Sequence, residues 1–219
     1  MRVVIAGGHG NIALRLGKLL SARGDAPVGL IRNPDQADAL RAAGVEPVTC
    51  DLEQADPDEV AAAVRGADAA VFAAGAGPGS GAARKQTMDQ DGAARFAAAA
   101  EQEGVRRHLL VSAMGLDRAE RSGRDDVFTV YLRAKAASEQ DVTRRDLDWT
   151  ILRPGRLTDD PGAGEVRLAS TLPRGSVSRQ DVAATLLALL DEPRTARLTL
   201  ELIAGDTPVA EAVAQVAAH

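Results

Sequence analysis

Two scarce residues stand one helical turn apart in the stretch VFTVYLRAKAASE (127–139). Tyr131 is the only tyrosine in the 219-residue chain, and Lys135 is one of three lysines, the other basic residues being arginine or histidine. At positions i and i+4 of a helix both side chains project from one face. A tyrosine with an ordinary pKa near ~10 exchanges protons poorly at neutral pH. A neighbouring ammonium favours the phenolate and is expected to lower that value toward the range useful for general acid–base catalysis. The structural alternative is a tyrosine packed on a sheet beside a solvated lysine.

A second constellation opens the chain. RVVIAG (2–7) is a continuous apolar run, as in a strand buried on both faces, and it leads into AGGHGNIALRLG. Gly7, Gly10 and Ala13 are spaced G-x-x-G-x-x-A, and Gly8, Gly10 and Ala13 also fit G-x-G-x-x-A. A dinucleotide pyrophosphate needs a tight turn, then backbone without a Cβ, then a small residue where helix meets sheet. The helix that starts at Asn11 and Ile12 would aim its free N–H groups and positive dipole end at the phosphates. A glycine-rich turn without ligand is the alternative. An NAD site would place Asp or Glu at the end of the second strand, whereas this chain has Arg32 in GLIRNP. A guanidinium there can pair with a 2′-phosphate, which points to NADP (NADPH) rather than NAD, the alternative being a solvated arginine that starts a loop. Asp51, in CDL, would accept from the adenine amino group, or serve equally as a helix cap or turn residue. Ala73, Ala74 and Gly75 end the fourth strand with minimal side chains that let backbone approach a cofactor.

The elements that would position these residues follow from the pattern of apolar runs. Strand-like segments at 2–7, 26–32, 45–52, 67–75, 107–115, 148–155 and 197–204 alternate with helical ones. The latter lie at 11–23, 34–43, 57–65, 86–103, about 128–145, 180–191 and 208–217. That alternation predicts an α/β domain with a parallel sheet covered on both faces. No repeat or long linker divides the chain, so 1–219 is read as one domain. AGAGPGSGAARK (74–85) and the segment from Arg156 to about Ser178 lack clear periodicity and fall at carboxyl ends of strands, where such sheets bind ligands. They are expected to wall the site, with 156–178 and the C-terminal region contributing the substrate cleft. Trp149 and Phe128 are expected in the core. Arg179, Asp181 and Asp159 suit the cleft, a helix cap or a loop.

Composition narrows the partners. The 45% hydrophobic content is that of an ordinary globular protein. Net charge is −5 with basic and acidic residues interspersed, which argues against nucleic acid. No apolar run approaches membrane-spanning length, and the first residues lack the form of a signal peptide, so no membrane partner and a cytoplasmic location are expected. Cys50 is the only cysteine, and His9, His108 and His219 are far apart, so no metal site is expected.

The order GGHGNIA, IRNP, CDL, AAGAG, LLVSAMG, Y-x-x-x-K and LRPG resembles the atypical short-chain dehydrogenase/reductase proteins of the NAD(P)H-binding, NmrA-like type. Small bacterial members of that type carry names such as sugar epimerase or NAD(P)-dependent reductase. The resemblance runs from Met1 to about Gly205. It implies a Rossmann-like, doubly wound parallel sheet with a small C-terminal substrate-binding portion. By that likeness Gly7, Gly10 and Ala13 form the phosphate loop and Arg32 selects NADP. Asp51 and Leu52 contact adenine, Ala73, Ala74 and Gly75 flank its ribose, and Pro154 and Gly155 lie near the nicotinamide. Ser112, Tyr131 and Lys135 match the catalytic set: Ser112 orients a carbonyl, Tyr131 is the acid/base, and Lys135 bonds the nicotinamide ribose. The expected activity is an NADP-dependent oxidoreductase acting on a small carbonyl or quinone-like molecule, as a monomer or homodimer. The alternatives are a non-catalytic NADP-binding sensor and an epimerase. Little chain is left for the larger substrate domain of nucleotide-sugar epimerases.

Overall fold

The computed structural model describes residues 1–77, 79–117 and 126–218. At its centre is β1 (Arg2–Ala6), in which Val3, Val4, Ile5 and Ala6 are wholly buried. A strand apolar on both sides of its pleat requires cover on both faces. In chain order the further strands are β2 (Ala26–Ile31), β3 (Glu46–Thr49), β4 (Ala69–Phe72), β5 (Arg107–Val111) and β6 (Asp148–Pro154). They are followed by β7 (Arg156–Thr158), β8 (Glu165–Ala169), β9 (Ser176–Ser178), β10 (Leu198–Ala204) and β11 (Thr207–Pro208). The helices are α1 (Asn11–Ala22), α2 (Ala37–Ala42), α3 (Pro57–Val64) and α4, which runs as Ala82–Arg84, Lys85–Gly92 and Ala93–Gln102. Then come α5 (Val127–Thr143), α6 (Arg179–Asp191) and α7 (Val209–Val216).

The main sheet has the order β11-β8-β10-β6-β5-β4-β1-β2-β3. All pairs from β10 through β3 are parallel, while β8 joins β10 and β11 joins β8 antiparallel. This is the Rossmann order, and it reverses between β1 and β4, the switch point where such sheets hold ligands. One face packs Phe72, Phe96, Leu110 and Trp149 under α3, α4 and α5. The other packs Ile5, Leu16, Leu109 and Leu186 under α1, α6 and α7. Among the described residues no helix is long and apolar enough to cross a membrane.

Several elements depart from the sequence reading, each for a local reason. β4 and β5 end at Phe72 and Val111, short of 75 and 115. β1 turns away at Gly7, so beyond Ala73, whose amide still reaches the Ala6 carbonyl, β4 has no ladder partner there. The segment 156–178 contains three strands. β8 reads Glu-Val-Arg-Leu-Ala with alternating exposure, the period of two expected of a half-buried strand. α4 starts at Ala82, and its stretch Lys85–Gly92 is π-helical, a widened winding frequent at functional sites. Phe128 is not core: it is 59% exposed on the first turn of α5, whereas Trp149 is buried as expected.

Candidate functional site: a cleft at the switch point

A cavity of about 990 Å³ opens at the carboxyl ends of β1 to β5. Its floor at β1 is glycine for steric reasons. Gly7 has φ +76°, and a Cβ there would lie 2.6 Å from the Ala74 Cα. A Cβ on Gly8 would lie 2.7 Å from the Gly29 Cα. The turn closes through the Gly10 amide, which donates to the Gly7 carbonyl at 2.7 Å. Gly10 then caps α1 with no side chain to bond the first-turn amides. A helix start of that kind presents N–H donors and a positive dipole end. Gly7, Gly10, Asn11 and Ile12 border the cavity, while Ala13 is buried where α1 meets the sheet.

Arg32 borders the cavity with its side chain half exposed, 3.6 Å from Glu53 Oε2. The same oxygen accepts from Arg84 at 2.8 Å, and Glu53 Oε1 accepts from Thr87 Oγ1 at 2.5 Å. Burial opposes ionisation of Glu53, but the bonds from Arg84 and Thr87 hold its carboxyl below the ordinary value. One carboxylate therefore gathers two guanidinium groups. Of the roles open to Asp51, the turn is observed: its Oδ1 accepts from the Glu53 amide at 3.0 Å, while α3 is capped by Asp56. Asp51 and the buried Leu52 nonetheless border the cavity, as do Ala73, Ala74 and Gly75. Pro154 and Gly155 are not among its bordering residues. β6 stays paired with β10 through Pro154, and the Gly155 amide donates to the Leu202 carbonyl at 2.8 Å. A Cβ on Gly155 would lie 2.5 Å from the Gly175 carbonyl oxygen, so backbone packing explains that glycine.

Ser112, Tyr131 and Lys135 all border this same cavity. Ser112 is buried, and its Oγ has no hydrogen-bond partner among the described residues. Tyr131 lies under the Lys85 ammonium, 5.3 Å from the ring centroid, with the Phe128 ring at 6.1 Å. Lys135 is buried, donates to the Val111 carbonyl at 3.0 Å and lies 3.3 Å from Asp89 Oδ1. Burial lowers the pKa of the Lys135 ammonium, with Asp89 acting the other way. The Tyr131 phenol is pushed up, first by burial and then by the Asp89 charge. This reverses the sequence-based expectation that Lys135 would lower it. The ammonium is already shared with a carboxylate that sequence reasoning did not single out.

Arg84 and Lys85 of the expected wall 74–85 border the cavity, as does Arg179, and so do His9 and Phe128, which the sequence reading did not place there. Arg179 is tied to Asp159 at 3.0 Å. From 156–178, Leu157 reaches the cavity. Asp181 instead accepts from the Ala163 and Gly164 amides. The stretch 118–125, between Ser112 and Tyr131, lies outside the described residues.

The side-chain-free cradle, the uncapped α1 and the unpartnered Ser112 hydroxyl fit a dinucleotide whose pyrophosphate rests on the glycine turn. The family of NAD(P)H-binding proteins matches residues 7–193. The chain belongs to this NAD(P)H-binding family. It is 39% identical over 214 residues to the uncharacterized sugar epimerase YhfK of Bacillus subtilis, covering 97% of this chain and 99% of that one. A solved Bacillus halodurans protein with the provisional name NAD-dependent epimerase/dehydratase superposes with a TM-score of 0.91 at 34% identity, covering 98% and 99% of the two chains. The anaerobillin reductase ChuY of Escherichia coli O157:H7 superposes with a TM-score of 0.79 at 27% identity, covering 94% and 98% of the two chains. Similarity to these proteins thus extends over nearly the whole chain.

Proposed function

We propose that this NAD(P)H-binding protein is an NADP-dependent oxidoreductase that reduces a small carbonyl or quinone-like acceptor. The observation that carries the reading is one cavity bordered both by the glycine cradle and by Ser112, Tyr131 and Lys135. When bound, NADPH supplies the hydride. The chain's own residues do the rest. Gly7, Gly10 and the first turn of α1 hold the pyrophosphate, and Arg32 with Arg84 holds the 2′-phosphate. The Ser112 hydroxyl donates to the acceptor oxygen, and the Tyr131 phenol gives that oxygen its proton. The exposed Val127 and Phe128 side chains offer an apolar flank at the cavity rim for a planar acceptor.

The reductase name of ChuY favours this reading. The epimerase names of other relatives have less support here: α7 packs on α6 and β8 and its residues do not border the cavity, so among the described residues the C-terminal helix adds no wall for a nucleotide sugar. A screen of carbonyl compounds and quinones for NADPH oxidation tests the proposal. Tyr131→Phe is expected to lower turnover by about 100-fold or more, the usual worth of a positioned acid, with NADPH affinity nearly unchanged. Full activity in that variant removes Tyr131 from the mechanism. NADPH binding with no oxidation by any acceptor moves the protein to the sensor class.

A further inference from the structure

The lysine and arginine residues that border the cavity are Arg32, Arg84, Lys85, Lys135 and Arg179. All but Lys85 have a carboxylate in reach. Glu53 Oε2 lies 3.6 Å from Arg32 and 2.8 Å from Arg84, Asp89 Oδ1 lies 3.3 Å from Lys135, and Asp159 Oδ2 lies 3.0 Å from Arg179. Lys85 forms no ion pair among the described residues. Its Nζ donates to the Gly77 carbonyl at 2.9 Å and stands 5.3 Å from the Tyr131 ring centroid. A backbone carbonyl takes one of the three donors of an ammonium, and the face of a ring attracts the cation without neutralising it. Asp89, on the same stretch of α4, is engaged by Lys135 and by the Ala76 amide instead.

Consecutive residues of the chain thus serve two parts of one cavity. Arg84 turns to Glu53, where Arg32 also lies, and Lys85 turns to Tyr131. Two further features beside Lys85 call for a ligand. The buried Ser112 hydroxyl has no partner among the described residues, an arrangement that costs stability unless a bound molecule supplies one. Val127 and Phe128 are 47% and 59% exposed at the cavity rim, the Phe128 ring lying 6.1 Å from that of Tyr131. Covering such side chains with an apolar body removes them from water.

We propose that Lys85 is a specificity-determining residue that binds an acidic group of the acceptor, so that the substrate is a flat, aromatic carbonyl or quinone compound carrying a carboxylate. The inference rests on the reductase reading above and names its substrate class. The acceptor oxygen meets Ser112 and Tyr131, the apolar body lies against Val127 and Phe128, and the carboxylate supplies the counter-charge that Lys85 lacks. A neutral analogue leaves that ammonium unpaired, and a cationic one is repelled by it.

Calorimetry on the full chain with saturating NADP tests this with 2-naphthoate and 2-naphthamide, a pair of equal shape that differs in charge and cannot be reduced at a carbonyl. The acid is expected to bind at least about tenfold tighter than the amide, roughly the worth of one charge-assisted contact. Lys85→Met should remove that preference, and Lys85→Arg, which keeps the charge, should retain it. Lys85→Gln replaces the methionine variant if circular dichroism shows the latter unfolded. Equal affinity for acid and amide, no binding of either at millimolar concentration, or a preference undiminished without the lysine overturns the proposal. So does a loss of about tenfold in NADP affinity in Lys85→Met, which would assign the ammonium to the cofactor. The titration needs no turnover. Preferential binding of naphthoate with no acceptor reduced would remove the reductase reading and keep the anion site, whereas reduction of carbonyl compounds without any preference for acids would do the reverse.

Discussion

Arg32 and Arg84 share a single carboxylate, that of Glu53, and this arrangement sets the cofactor prediction at the scale of one side chain. The Glu53 carboxylate ties together two guanidinium groups whose residues border the cavity, where a 2′-phosphate would find two cations in place. NADPH is therefore expected to bind at least about tenfold tighter than NADH, roughly the worth of one charge-assisted hydrogen-bond pair. Arg32→Ala should remove most of that preference while leaving NADH affinity nearly unchanged. Calorimetry with both nucleotides checks this, and equal affinities in the unmodified protein would discard the assignment. Arg32, the glycines and the Tyr131/Lys135 pair were legible in the sequence because their types are rare or constrained at those spacings. Asp89 and Glu53 were not. Both sit in polar runs, QTMDQDG and CDLEQ, that carry no mark of burial. Their importance arises only once the tertiary fold brings cations from other segments against them.

At the scale of elements, α5 presents Tyr131 and Lys135, and its start depends on Asp126. That carboxylate accepts from the Thr129 amide at 2.8 Å, one of the donors a helix otherwise leaves unpaired. Asp126→Ala is expected to cost about 1 kcal/mol of stability, read as a lower urea midpoint with unchanged slope. The cost should fall on the first turns, which carry Phe128 and Tyr131, because Leu132 and Val142 anchor the rest in the interior. A urea midpoint unchanged in Asp126→Ala would show that other contacts fix the helix start. Element order was readable from alternating apolar runs. The π-helical winding of α4 was not, since the expected period of 3.6 does not describe a turn that is locally widened. That unread turn is the one that directs Asp89 inward. β8 was missed for a different reason: its alternation spans few residues and sits among Gly and Pro.

For the whole molecule, the buried His108 ties stability to pH. Its ring lies 5.8 Å from that of Phe96, and neither ring nitrogen has a partner among the described residues. Burial, with smaller contributions from Arg145 and Arg107, lowers its pKa to about 3. In the unfolded chain the value returns to ~6.5, so between these limits the unfolded state binds a proton that the folded state refuses. Stability from this source is full above about pH 6.5 and falls as the pH drops, by up to about 1.4 kcal/mol per unit. Urea unfolding at about pH 7 and about pH 5 should show the loss in the unmodified protein and much less of it in His108→Phe. An equal loss in both would assign it to other groups.

The two rims of the sheet bear on how copies of this chain meet in concentrated solution. One rim is β3, four residues long with Pro47 inside it, and the other is β11, two residues ending in Pro208. Short edges interrupted by proline offer few consecutive amide donors for a foreign strand to join. Addition of a further strand is thus disfavoured at these two rims, where β3 and β11 are short and carry proline.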